Sequence, residues 1–173
     1  MDRKEGKNPG SVNTGVWRHR RDTIVQETGH DAYQARKHLA EPTVCGDCEA
    51  VFHEGRWTWM DAPPANAEKT TCPACRRARD GYPAGFLTLS GPFFNLHRQE
   101  ITNLVENEAA VETAEHPLHR KIETEDTGTG LILTTTDIHL CRRLGERLHR
   151  AYGGDLEYHY VDEDTALRAS WTR

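Results

Sequence analysis

The sequence has no long apolar run. None of its hydrophobic stretches approaches the ~18 residues needed to cross a bilayer. The first residues also lack the apolar stretch of a signal peptide. The expectation is a cytosolic, cytoplasmic protein with no membrane partner. Hydrophobic residues are few, 36% of 173, too sparse for one generous core but adequate for a small core with a metal staple. Positive charge is short as well. A net charge of -5 excludes a generic basic nucleic-acid coat, so any RNA contact must come from local patches. The common catalytic signatures are missing: there is no phosphate-cradling glycine loop, no GxSxG and no HExxH. Ten histidines are present, but His97, His116, His119, His139, His149 and His159 fall on separate elements without ligand spacing. Solvated or supporting roles are expected for each. His119, Arg120 and Lys121 offer an alternative as phosphate contacts at the start of a strand. Thr134, Thr135, Thr136 and Asp137 precede a helix and could bind an anion, though capping explains them equally well. No enzyme is expected.

What is present is cysteine in pairs. Cys45 and Cys48 form one CxxC, and Cys72 and Cys75 form a second after a gap of 23 residues. Two residues between thiols let a tight turn aim both sulfurs at one point. Two such turns supply the four soft ligands of a tetrahedral zinc site. A redox CxxC needs one pair opening a helix after a strand, and neither pair is followed by a clean apolar helix. Disulfides do not suit a reducing compartment. The pattern predicts one structural zinc ion on Cys45, Cys48, Cys72 and Cys75. The fifth cysteine, Cys141, lies on an apolar helical stripe and is expected to be a buried thiol.

Residues 1–30 read as a flexible basic tail. Over residues 1–21, Arg3, Lys4, Lys7, Arg18, Arg20 and Arg21 outnumber Asp2 and Glu5. Trp17 beside Arg18, Arg20 and Arg21 can stack on an unpaired base while neutralising phosphate. A solvated tail with one exposed tryptophan is the plain alternative. Residues 31–80 read as a zinc ribbon with a preceding short helix over 31–39. Arg56, Trp57, Thr58, Trp59 and Met60 alternate as a strand. Arg56, together with Arg76, Arg77 and Arg79 just beyond the second knuckle, makes a basic cluster at low entropic cost. One of the two tryptophans is expected to cover the ribbon core.

Residues 81–92, with Gly81, Pro83, Gly85, Gly91 and Pro92, read as a linker. Residues 93–173 read as an α+β domain. A helix is predicted over 93–116, with Phe94, Ile101, Leu104, Val105 and Val111 on one stripe. Glu100, Glu106, Glu108, Glu112 and Glu115 occupy a solvated acidic face. Two strands follow around the turn at 126–130. A helix capped by Thr136 or Asp137 carries Ile138, Cys141, Leu144, Leu148 and Tyr152, and Gly153 stops it. Two further strands centre on Tyr158 and Ala169, with a turn at 162–164. The order helix, strand, strand, helix, strand, strand predicts an α+β layer with both helices on one face of one sheet.

Several stretches resemble those of a family. They are Glu41-Pro42-Thr43, the two CxxC pairs, Gly55-Arg56-Trp57-x-Trp59, Pro83-Ala84-Gly85, His97-Arg98-x-Glu100-Ile101, Glu115-His116-Pro117-Leu118 and the run Thr134 to Leu140. The chain resembles short bacterial zinc-ribbon proteins over residue 31 to its C-terminus. These are similar in layout to the N-terminal part of the large-subunit export adaptor of the nonsense-mediated-decay family. That adaptor has more cysteine pairs than the single site here. The resemblance implies ribosome association, in stressed or dormant cells. The expected function is therefore a zinc-stabilised, ribosome-binding factor, a stress or hibernation factor acting on translation. Its RNA contacts are Trp17, Arg18, Arg20, Arg21, Arg56, Arg76, Arg77 and Arg79, and its partners are ribosomal RNA and ribosomal proteins. The alternative is a protein-binding or transcription-linked zinc ribbon that engages a partner by its aromatic face.

Overall fold

Alternating apolar residues need a sheet with one covered face, and the larger of two sheets supplies it. The computed structural model describes Tyr33, residues 39–161 and residues 165–173. The expected basic tail, most of the short helix over 31–39 and the turn at 162–164 lie outside the described residues.

The first sheet is small. Its strands are β1 (Thr43–Cys45), β2 (Val51–His53), β3 (Arg56–Thr58) and β4 (Glu68–Thr70), in the order β3-β2-β1-β4. β1 pairs antiparallel with β2 and parallel with β4. Helix α1 (Pro73–Asp80) follows at once and ends at Gly81, whose φ of 61° gives the left-handed cap that glycine accepts freely.

The second sheet has the order β6-β7-β5-β9-β8. Its strands are β5 (Gly85–Ser90), β6 (Lys121–Asp126), β7 (Gly130–Thr135), β8 (Asp155–Val161) and β9 (Ala166–Thr172). β5 is central, antiparallel to β7 and parallel to β9. This corrects the reading of residues 81–92 as a linker. Glycines and prolines crowd both ends of that segment, and they hide a six-residue strand whose Leu87 and Leu89 are fully buried.

The long helix expected over 93–116 is split into α2 (Pro92–Leu96) and α3 (Arg98–Glu115), which meet at His97. The C-terminal residue stitches α2 to the sheet: the Arg173 carbonyl accepts the N–H groups of Phe93 and Phe94 at 2.8 and 3.2 Å. Helix α4 (Ile138–Tyr152) is capped by Asp137, which accepts the N–H groups of His139 and Leu140 at 2.8 and 2.9 Å.

One core joins the inward sheet face to both long helices. Leu87, Leu89, Leu133, Leu167 and Trp171 meet Ile101 and Val105 of α3 and Leu140, Cys141, Leu144 and Leu148 of α4. The mixed α+β class and the single-faced packing are as expected. Cys141 is buried, and burial pushes its thiol up to about 12. Two details of the α3 stripe differ. Val111 is exposed, and Glu112, expected on the solvated face, is buried because a 3.6-residue period turns Ile101, Val105, Ala109 and Glu112 to one side. No described helix is long and apolar enough to cross a membrane.

Candidate metal centre

Two turns bring the four paired cysteines together. β1 ends at Cys45, whose N–H donates to Ala50 and whose carbonyl accepts from Glu49, at 2.8 and 3.0 Å. That turn carries Cys48 back beside Cys45. In the second turn Cys72 caps α1, with its Sγ accepting the Cys75 N–H at 3.4 Å. The turns are tied to each other: Cys45 Sγ accepts the Cys72 N–H at 3.3 Å. The four sulfurs all lie within 4.8 Å of one another and form no disulfide.

The spacing fits a tetrahedral ion. Metal–sulfur bonds of about 2.3 Å give sulfur edges of about 3.8 Å, and Cys48 Sγ lies 3.8 Å from Cys72 Sγ. Electrostatics oppose four bare thiolates here. Burial pushes Cys72 well above the usual thiol range, and the charges of Cys48 and Cys45 add to it. Burial likewise pushes Cys75 up to about 11. Burial opposes ionisation of Cys45 too, but N–H groups from Cys72, Asp47 and Cys48 outweigh it and bring it down to about 7. Four thiolates can share this space only around a positive ion.

Arg120 completes the centre. Its Nη2 donates to Cys48 Sγ at 2.9 Å and its Nη1 to Cys75 Sγ at 3.3 Å. Its Nε is held by the Pro117 carbonyl at 2.6 Å, and its guanidinium lies 5.6 Å from the Trp59 ring. Burial weakens the arginine charge, and the thiolates more than restore it. Four thiolates on a divalent ion would leave excess negative charge, and Arg120 would offset part of it. The same interactions clamp the small sheet to the large one, helped by Leu118 against the cysteine cluster and by Trp59 Nε1 donating to Thr113 at 2.8 Å. The phosphate role offered by the sequence for Arg120 is corrected: its guanidinium is half-buried and spent on sulfur. Arg120→Met should lower stability by about 2 kcal/mol, the value of charge-assisted hydrogen bonds removed from a half-buried site. Chelator competition should then strip the metal faster than from the parent, and an unchanged rate would remove Arg120 from the centre.

The histidines are less scattered than their sequence positions suggest. His116 and His119 rings lie 4.9 Å apart, and His119 stacks on His139 at 5.9 Å. Glu112 Oε1 is 2.9 Å from His119 Nδ1 and 3.8 Å from His116 Nε2. Glu112 and His116 are four apart on the chain and share a face, and Pro117 bends the backbone so that His119 returns to it. That local spacing is a usable signal in the sequence. Asp137 and His139 arrive from the start of α4 and carry none.

The predicted RNA-contact residues separate. Arg56 and Arg79 are exposed, Arg79 at 3.6 Å from Asp80. Arg76 is half-buried, with a 3.4 Å bond to the Thr71 carbonyl. Arg77 is buried at 4% exposure: it donates to the Tyr82 carbonyl at 3.0 Å and its guanidinium sits 4.5 Å from the Tyr33 ring. It is therefore corrected from a surface contact to a structural pin, because α1 turns it towards the chain after Gly81. Trp17, Arg18, Arg20 and Arg21 lie outside the described residues. Trp57 packs on the cysteine cluster and against Phe52, as expected of one tryptophan. A charged groove of about 380 Å³ not foreseen from sequence runs along α4, lined by His139 and four arginines, of which Arg142 pairs with Glu146 and Arg143 and Arg147 with Glu108 in the same wall.

The fold and the centre define a mixed α+β protein with a four-cysteine group able to hold a metal ion. Comparisons of the chain with protein-family models, with curated proteins and with solved structures found no match.

Proposed function

We propose that the protein is a zinc-stabilised, non-enzymatic, cytoplasmic ribosome-binding factor whose arginines contact ribosomal RNA. The observation that carries this reading is the cluster of four cysteine sulfurs, all within 4.8 Å of one another, under Arg120. An ion held by four sulfurs keeps no open position for substrate, so its work is to hold a surface still. Four thiolates at this spacing suit zinc. The surface so held includes exposed Arg56 and Arg79 and half-buried Arg76. The layout resemblance to a ribosomal export adaptor points the same way. The protein-binding alternative needs free aromatic anchors on the ribbon: Trp57 packs on the cysteine cluster, and Trp59 is exposed but tied by its Nε1 to the Thr113 carbonyl.

The test is co-sedimentation of the full chain with purified ribosomal subunits at graded salt. Binding should weaken steeply between low and moderate salt, as phosphate contacts do. Replacing Arg56, Arg76 and Arg79 together by alanine should flatten the log–log salt slope by about one unit for each phosphate no longer neutralised. Arg77→Ala should instead lower the melting temperature. Absence of co-sedimentation at any salt would dispose of the reading. Binding that survives nuclease treatment would favour the protein-binding alternative.

A further inference from the structure

We propose that Glu112, His116 and His119 form a second metal centre, separate from the four cysteines, that takes a first-row divalent cation on two imidazoles and a carboxylate. Their ligand atoms all lie within 4.8 Å of one another. Neighbouring ligands on such a cation, with bonds of about 2.1 Å, stand about 3.0 Å apart in an octahedron and about 3.4 Å apart in a tetrahedron. Glu112 Oε1 and His119 Nδ1 already stand at 2.9 Å. His116 Nε2 is 3.8 Å from Glu112 Oε1 on a side chain 53% exposed, so a small ring movement closes the set and solvent can deliver the ion.

The buried carboxylate is held and aimed. The Glu112 side chain is only 5% exposed, and its Oε2 is ion-paired with Arg143 Nη1 at 2.7 Å, which leaves Oε1 towards the two imidazoles. Asp137 Oδ2, beside the site, is buried without a hydrogen bond. Outer support is also in place. With His119 ligating through Nδ1, its Nε2 faces Asp137 Oδ1 at 3.8 Å. A carboxylate behind a ligating imidazole fixes its ring and raises its basicity.

Three protein donors leave at least one coordination position open, unlike the thiolate site. Two imidazoles and one carboxylate favour zinc or iron(II) over calcium or magnesium. The two centres touch through the backbone. His119 belongs to the second and Arg120, the next residue, donates to Cys48 and Cys75 of the first.

The experiment is metal counting on the full chain loaded with cobalt(II) and, separately, zinc, then dialysed against micromolar free metal. Two ions per chain are expected in the parent. His116→Ala and, independently, His119→Gln should each hold one, with the thiolate-to-cobalt charge-transfer band unchanged. That band reports that each variant is folded and that the four-cysteine site is intact. Cobalt absorption typical of nitrogen and oxygen ligands should disappear in both variants. One ion per chain in the parent, or two that persist in both variants, overturns the proposal. Neither result depends on ribosome binding.

Discussion

Cys72→Ser is expected to release the metal and unfold residues 40–80. Zinc binding supplies on the order of 10 kcal/mol in small modules, and an ion on these four sulfurs would contribute it as folding energy. The first sheet has little else to hold it. Its strands are three residues each, and its buried cluster is Cys45, Ala50, Cys72 and Ala74. Cys72 is also the residue on which both turns converge. Its Sγ caps α1, its N–H donates to Cys45, and it lies 3.8 Å from Cys48. Serine keeps a capping oxygen but not a soft thiolate. Metal analysis should give a loss of one ion per chain, and near-ultraviolet circular dichroism should lose the signal of Trp57. The second sheet has its own core and should still melt cooperatively, though lower, since Arg120 loses its sulfur partners. Cys141→Ala should be mild by comparison, about 1 kcal/mol for one small buried group. Retention of the parent metal content and melting curve in Cys72→Ser would falsify the four-cysteine site.

The parts legible from sequence are those whose cause is local. A CxxC is a turn and a ligand pair at once, so four residue identities locate the centre. Asp137 capping α4, Gly153 ending it and the turn between β6 and β7 are also decided within a few residues. Closure over long distances is not legible. Arg120 meets Cys75 and Cys48 across 45 and 72 residues, and nothing near position 120 announces a sulfur partner. The neighbouring Lys121 suggests phosphate, whereas it pairs with Glu106. Glu112 misleads for a related reason. A glutamate among glutamates on one helix reads as solvated, and only the arrival of His119 and Arg143 explains its burial. Arg77 is indistinguishable from Arg76 and Arg79 until the helix phase turns it inward.

Gly85→Ala is expected to destabilise the second sheet by about 3 kcal/mol, at the upper end of overpacking costs. In the sequence Gly85 resembles linker punctuation, one of several glycines and prolines around a short apolar run. Its purpose is space, not backbone freedom. A Cβ built there would stand 2.2 Å from Thr135 Oγ1, 2.5 Å from Cys141 Cβ and 3.0 Å from the Asp137 carbonyl. Thr135 cannot rotate away without losing its 2.6 Å bond to that same carbonyl. Cys141 Cβ is fixed to the backbone of α4 and moves only if the helix moves. The methyl must therefore push α4 off β5, where Leu140, Cys141 and Leu144 are fully buried. Pushing α4 also displaces Asp137 and His139, so the disturbance reaches the histidine group. Gly46→Ala is the matched control, because a Cβ at Gly46 meets nothing within 4 Å. Thermal melting should separate the two variants clearly, with Gly46→Ala near the parent and Gly85→Ala well below it. If Gly85→Ala melted with the parent, β5 would not run against α4, and the central place of residues 85–90 in the sheet would be wrong.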